Sequence, residues 1–193
     1  MKTALKITGI SLAALVLLGG AIYAAAEVLE ETDTHRETIS ESVDHIVIKA
    51  ESGDIEVVPG GRSVEVERTD RYAVESPDVS QTLEDGVLTI DAECEGVFSL
   101  FCAVDYRVEV PDGVTVDART YLGDVDVALA RKADVTARTH VGDVDVELPE
   151  GAYDVDTDTA VGDADVEGVV DSDQARHKIE ARADIGTVDV TAR

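Results

Sequence analysis

Asp124 and Asp126 stand two residues apart, and the same spacing returns as Asp143/Asp145 and Asp163/Asp165. Side chains two apart on a β-strand share one face, so each pair presents its carboxylates together. If the copies stack, Asp124, Asp143 and Asp163 fall in one column, and Asp126, Asp145, Asp165 and Asp189 in a second. Neighbouring strands lie about 4.8 Å apart. Two like charges at that distance repel by about 0.9 kcal/mol in water and by about 3.5 kcal/mol at an effective dielectric of about 20. Such columns need bridging or screening. Calcium, which takes about six to eight oxygen ligands, is the candidate bridging cation. A solvated face screened by salt is the alternative, with no cofactor. Neither the Gly/Asp nonapeptide of calcium β-rolls nor an EF-hand loop occurs.

Other chemistry is sparse. The chain has no Gly-x-Ser-x-Gly, no His-Glu-x-x-His, no phosphate loop and no nucleotide fingerprint. An Asp/Glu pair of a polysaccharide-active β-helix is the one catalytic alternative. The acids recur with the repeat, however, which points to architecture, so the chain reads as no enzyme. Arg119, Arg138 and Arg182 share one repeat position, held by Asp158 in another copy. Outward acids such as Asp117 and Asp156 are their expected partners, and exposed pairs of this kind contribute about 0–1 kcal/mol each. His35, His45, His140 and His177 are scattered and form no ligand pattern. Cys94 and Cys102 are the two cysteines; an even count in an exported segment reads as a disulfide. Closing that loop is worth about 2.6 kcal/mol in the chain-entropy model. The two Phe, Phe98 and Phe101, both lie inside it. They read either as an apolar contact loop or as a plug over the core.

What must position these residues is a repeat. Aligned on glycine, the copies are VDARTYLGDVDV (116–127), VTARTHVGDVDV (135–146), VDTDTAVGDADV (155–166) and IEARADIGTVDV (179–190), with a fainter IVIKAESGDIEV (46–57). A self-similar period near twenty residues marks a stacked architecture. Inside each copy apolar and polar residues alternate with period two, so each is strand, glycine bend, strand. Positions match in type between copies: Val116, Val135, Val155 and Ile179 first; Val127, Val146, Val166 and Val190 last; Leu122, Val141, Val161 and Ile185 before the glycine. Matched residues favour inward ladders in a right-handed β-helix-like solenoid of roughly 20-residue repeats, with a β-sandwich as the alternative fold. Thr120, Thr139 and Thr159 are candidates for a polar ladder, since the chain has no Asn. The first half offers further strands at 45–50, 54–59, 63–68, 87–92 and 105–110.

The ends set the organisation. Residues 7–26 carry no charge, and Lys2 and Lys6 precede them. Twenty helical residues span about 30 Å, one hydrocarbon thickness, and the basic flank places the N-terminus in the cytoplasm. Residues 1–26 therefore read as one N-terminal transmembrane anchor, or as a signal peptide cleaved after Ala24-Ala25-Ala26. Residues 27–41 read as an acidic stalk, and 42–193 as the extracytoplasmic β-strand-repeat domain. The expected location is the cell membrane, single-pass, with the C-terminal domain outside, or secretion after cleavage. With a formal charge of −26, the chain lacks the basic face that nucleic acid requires.

The Gly-Asp-Val-x-Val units, the YRVEVPDGVTVD segment (106–117) and the N-terminal anchor together resemble a bacterial and archaeal adhesin-like β-strand-repeat family of unknown function. The resemblance covers roughly residues 40–193. It implies a β-solenoid-like fold outside the membrane and brings no catalytic residues. The expected function is thus a non-enzymatic surface or envelope interaction module, whose partner is an envelope protein or a surface polymer. An accessory or sensor component of a cell-envelope stress system, acting through a membrane partner, is the alternative.

Overall fold

The computed structural model describes residues 31–94 and 101–193. The predicted anchor, the cleavage site and Phe98 lie outside the described residues. All regular elements described are strands: β1 (Glu31–Ile39), β2 (His45–Ser52), β3 (Ile55–Pro59), β4 (Val64–Tyr72), β5 (Asp78–Glu84), β6 (Val87–Glu93), β7 (Cys102–Val110), β8 (Thr115–Leu122), β9 (Val125–Ala128), β10 (Val135–Val141), β11 (Val144–Leu148), β12 (Ala152–Val161), β13 (Ala164–Glu167), β14 (Val170–Asp171), β15 (Lys178–Ile185) and β16 (Val188–Ala192). The segment read as an acidic stalk supplies β1 from Glu31 onward.

Two mixed eight-stranded sheets result. The first runs β1-β4-β7-β3-β9-β11-β16-β13 and the second β14-β12-β15-β10-β8-β2-β6-β5. Each repeat copy places its first strand in the second sheet, bends at glycine, and places its second strand in the first sheet. Equivalent residues then pair in parallel and in register: Val116 with Val135, Val135 with Ile179, Val125 with Val144, Val144 with Val188. Two facing sheets fit the β-sandwich alternative, and the equivalent residues of the copies pair within them in matched parallel registers. Val125 and Val127 are buried, as the strand register demanded.

The order of stacking departs from the order of sequence. The last copy (β15/β16) lies between the third (β10/β11) and the fourth (β12/β13). Composition explains the exchange. The last copy turns Ile179, Ala181, Ala183, Val188 and Val190 inward, all buried. The fourth turns Val155, Thr157, Thr159, Ala164 and Val166 to the same positions, a more polar set that suits an edge. There Val166 is 41% exposed, whereas Val190 beside it is 0%.

The glycine bends hold the layers at close range. A Cβ on Gly142 would lie 2.1 Å from the Gly123 carbonyl oxygen, and one on Gly123 would lie 2.2 Å from that of Gly53. Their φ angles, +145° and +142°, are also closed to ordinary side chains. Threonine completes the bend as expected. Thr120 Oγ1 donates to Gly53 O (2.9 Å), Thr139 Oγ1 to Gly123 O (2.8 Å) and Thr159 Oγ1 to Gly186 O (2.9 Å).

One expected ladder is overturned. Leu122, Val141, Ile185 and Val161 stack beside one another but face solvent, at 42%, 37%, 49% and 63% exposure. Strict alternation would point them inward. They sit at the corner where the chain leaves one sheet for the other, and the turn rotates them out of the core.

Candidate acidic face and inter-sheet chamber

The predicted acids come together on the outer side of the first sheet. Asp126 pairs in register with Asp145, Asp145 with Asp189, and Asp189 with Asp165, so the second column forms in full. Asp124 and Asp143 adjoin, but Thr187 stands between Asp143 and Asp163 because the last copy is inserted there.

The first column has a role that spacing alone did not reveal. Asp105 Oδ1 accepts the Asp54 N–H (3.1 Å), Asp54 Oδ1 that of Asp124 (2.9 Å), Asp124 Oδ1 that of Asp143 (2.8 Å), and Asp143 Oδ1 that of Thr187 (2.7 Å). Each carboxylate thus satisfies a backbone donor that the bend removes from the sheet ladder. These are charge-assisted bonds, and aspartate does here what an asparagine ladder would do.

The second column has no such partners. Burial, then Asp145, then Asp124 raise the Asp126 carboxyl above the usual carboxylate range. Burial, then Asp189, then Asp143 do the same for Asp145. Together with Glu56, Glu147 and Thr191 they line a shallow groove of about 520 Å³. Among the described residues, no group of three or more His, Cys, Asp or Glu converges to hold a metal ion.

On the outer side of the second sheet, Arg119, Arg138, Arg182 and Asp158 adjoin in register. Arg119 binds Asp117 through two 2.7 Å contacts, Arg182 binds Asp156 at 2.7 Å, and Arg138 binds Glu180. Their charges are therefore met by outward acids. Beside them Tyr121 stacks on His140, with ring centroids 4.4 Å apart, and His140 contacts Asp184. Cys94 and Cys102 form the expected disulfide, with Cα atoms 5.9 Å apart, and Phe101 beside it is half-buried.

A second site escaped sequence reasoning. Followed across the first sheet, one inward row reads Val188, Val144, Val125, Ile55, Tyr106, Arg68, His35. It is apolar through the repeats and becomes polar at the end formed by β7, β4 and β1. Asp70, nearly buried, takes Arg68 Nη2 at 2.8 Å and lies 3.5 Å from His35 Nε2. Across the gap, Gln81 Nε2 of β5 donates to Glu37 Oε2 of β1 at 3.0 Å. That bond ties the edges of the two sheets. Between them lies a chamber of about 330 Å³ whose apolar surface comes from Val66, Val79 and Ile90. The Tyr106 hydroxyl is buried there with no hydrogen-bond partner, and burial, above all, holds its proton well beyond the ordinary phenol range. The signal available in sequence was the break in alternating valines at Arg68-Thr69-Asp70 after Val64 and Val66.

No family model matches the chain, and no curated protein matches it. Solved structures do. The chain shares its fold with a "putative cell adhesion protein" from Clostridium sporogenes. That match has a TM-score of 0.53 at 10% identity and covers 84% of this chain and 100% of the other. A "putative adhesin" from Bacteroides fragilis aligns over 83% of this chain and 97% of its own, at 12% identity and a TM-score of 0.35. A "putative lipid binding protein" from Parabacteroides distasonis aligns over 84% and 97%, at 12% identity and a TM-score of 0.28. The first match bears out the adhesin-like resemblance at the level of fold.

Proposed function

We propose that this chain is a non-enzymatic, membrane-anchored extracytoplasmic module that holds a partner at the envelope or cell surface, built as a β-solenoid-like stack. The observation that carries the reading is where the repeat's chemistry goes. Asp54, Asp124 and Asp143 accept backbone bonds between layers, the arginines pair with outward acids, and the remaining carboxylates line one face in register. This is a scaffold with an acidic surface, and the acids act through salt screening with no bound cofactor. The fold shared with a protein named for cell adhesion supports the same reading. The anchor rests on the uncharged residues 7–26 and their basic flank.

The test is a full chain with a C-terminal tag, expressed in its native envelope. External protease should remove the tag from intact cells, and cells lacking the chain should lose retention on envelope or surface material. A protected tag, or unchanged retention, would overturn the proposal.

A further inference from the structure

We propose that the chamber between β1/β4 and β5/β6 binds one neutral sugar ring, the terminal residue of a surface or envelope polysaccharide. This deepens the surface-interaction reading by naming a ligand class, and it rests on that reading for its biological setting.

Three features carry it. First, polar groups point inward where every repeat copy has valine or another apolar residue. Arg68 and His35 continue the row that begins with Val188, Val144 and Val125. Arg68, its side chain 24% exposed, holds a charge at a core position at a stability cost, and such departures mark sites; His35, 58% exposed, stands at the rim. Second, the Tyr106 hydroxyl is buried, in a residue only 2% exposed, and lacks any partner in the protein. Buried hydroxyls are nearly always bonded; this one lies behind the chamber wall with almost no accessible surface, so a ligand or a water meets it only as that wall shifts. Third, the chamber is of ligand size, at the lower end of the range of about 300–1,000 Å³ seen for small-molecule sites.

The chemistry selects the class. Gln81 and Arg68 offer N–H donors, Glu37 offers acceptors, and Tyr106 can do either. Sugar hydroxyls are themselves both donors and acceptors and match such a mixed set. Val66, Val79 and Ile90 supply an apolar surface for the C–H face of a ring. Charge excludes the neighbouring classes. Arg68 is paired with Asp70 and Arg36 with Glu67, so among the described residues the chamber offers no unpaired arginine to a phosphate or uronate, and the chain's charge of −26 repels both. The volume holds about one ring, and the end of a chain is the occupant we assign to it.

The test uses the full chain and a panel of methyl glycosides of neutral hexoses and pentoses, with a uronate and an amino sugar as charged arms. Saturation-transfer NMR and titration read binding. At least one neutral glycoside should bind saturably and at least tenfold more tightly than the uronate. Tyr106→Phe should weaken it about tenfold. Because that hydroxyl has no protein partner, Tyr106→Phe should leave the unliganded melting temperature unchanged or raise it. Gln81→Ala should also weaken binding; it removes the Gln81–Glu37 bond between the sheet edges as well, so its melting temperature is measured alongside. If no glycoside binds and Tyr106→Phe lowers the melting temperature, the hydroxyl serves a structural water only and the inference fails. Preferential binding of a charged arm would overturn it too. Surface retention that survives Tyr106→Phe, with no glycoside bound, would sink this inference and leave the surface-interaction reading standing. Glycoside binding by a chain that retains nothing at the surface would do the reverse.

Discussion

Replacing Gly142 with alanine separates two ways in which a glycine can be required. Gly142→Ala places a Cβ 2.1 Å from Gly123 O and 2.8 Å from Asp124 Oδ1, at φ +145°. The backbone conformation alone costs an L-residue about 1–3 kcal/mol. The clash is with backbone, so it is relieved only by moving the layer. That movement stretches Gly123 N to Val141 O (3.0 Å), Val125 N to Asp143 O (2.9 Å) and the Thr139 hydroxyl bond (2.8 Å), each worth about 1 kcal/mol. The layer beyond, held by Gly142 N to Ile185 O (3.0 Å), blocks the escape. The expected total is about 4–6 kcal/mol, a large part of a domain's usual 5–15 kcal/mol. At about 2–4 °C per kcal/mol for a chain of this size, the melting temperature should fall by about 10–20 °C. Two controls isolate the parts. Gly113 has φ +85° and nothing within 4 Å of its Cβ position, so Gly113→Ala should cost about 1–2 kcal/mol. Gly162 would clash with Gly186 O at 2.0 Å, but it lies in the outermost copy of the stack and can shift outward, so Gly162→Ala should cost about 2–3 kcal/mol. Urea unfolding of the three variants checks the order. If Gly142→Ala costs no more than Gly113→Ala, the close stacking of layers is refuted.

Further predictions follow from the same geometry. The last copy has Ala183 where others have threonine, so Ala183→Thr should add a hydroxyl bond to Gly142 O and stabilise by about 1 kcal/mol; a fall in melting temperature would show the layer too tight to take it. Thr139→Val should cost about 1–3 kcal/mol by leaving Gly123 O without its donor, read by urea midpoint. Asp126 and Asp145 have raised folded pKa values, so their favourable contribution is present below about pH 4, the unfolded value, and is lost as pH rises through the folded one. The double variant Asp126→Asn/Asp145→Asn should therefore match the parent near pH 3.5 and exceed it at pH 7 by no more than about 1 kcal/mol, because solvent screens these exposed groups, with the gap shrinking in molar NaCl. A gap independent of pH would contradict the cause given. Cys94→Ser/Cys102→Ser should lower stability by about 2–3 kcal/mol, a loss that reducing agent should reproduce in the parent.

Much of the repeat domain was legible because two periods coincide in it. Alternation placed Val125 and Val127 in the core, and the recurrence near twenty residues placed Asp126 beside Asp145. Glycine and threonine could be assigned to the bend because their physical requirements are local. The order of layers was not legible, because it depends on which copy tolerates an edge. Thr157, where other copies have Ala118, Ala137 and Ala181, hinted at that, as did the longer spacing before Ile179. The exposed column from Leu122 to Val161 was misread because alternation fails at a corner between sheets. The chamber was missed because Arg68, Asp70, Tyr106 and His35 are distant in sequence and meet only through antiparallel pairing of β1, β4 and β7.

Thermal unfolding of the full chain in low salt, in molar NaCl, and in millimolar CaCl₂ matched to NaCl in ionic strength tests the account of the repeated acids most directly. If Asp54, Asp124 and Asp143 serve the bends and Asp126 and Asp145 form a screened face, molar NaCl raises the melting temperature and CaCl₂ gives the same rise as its matched NaCl. A rise specific to calcium would contradict this and make the columns a cation-binding surface.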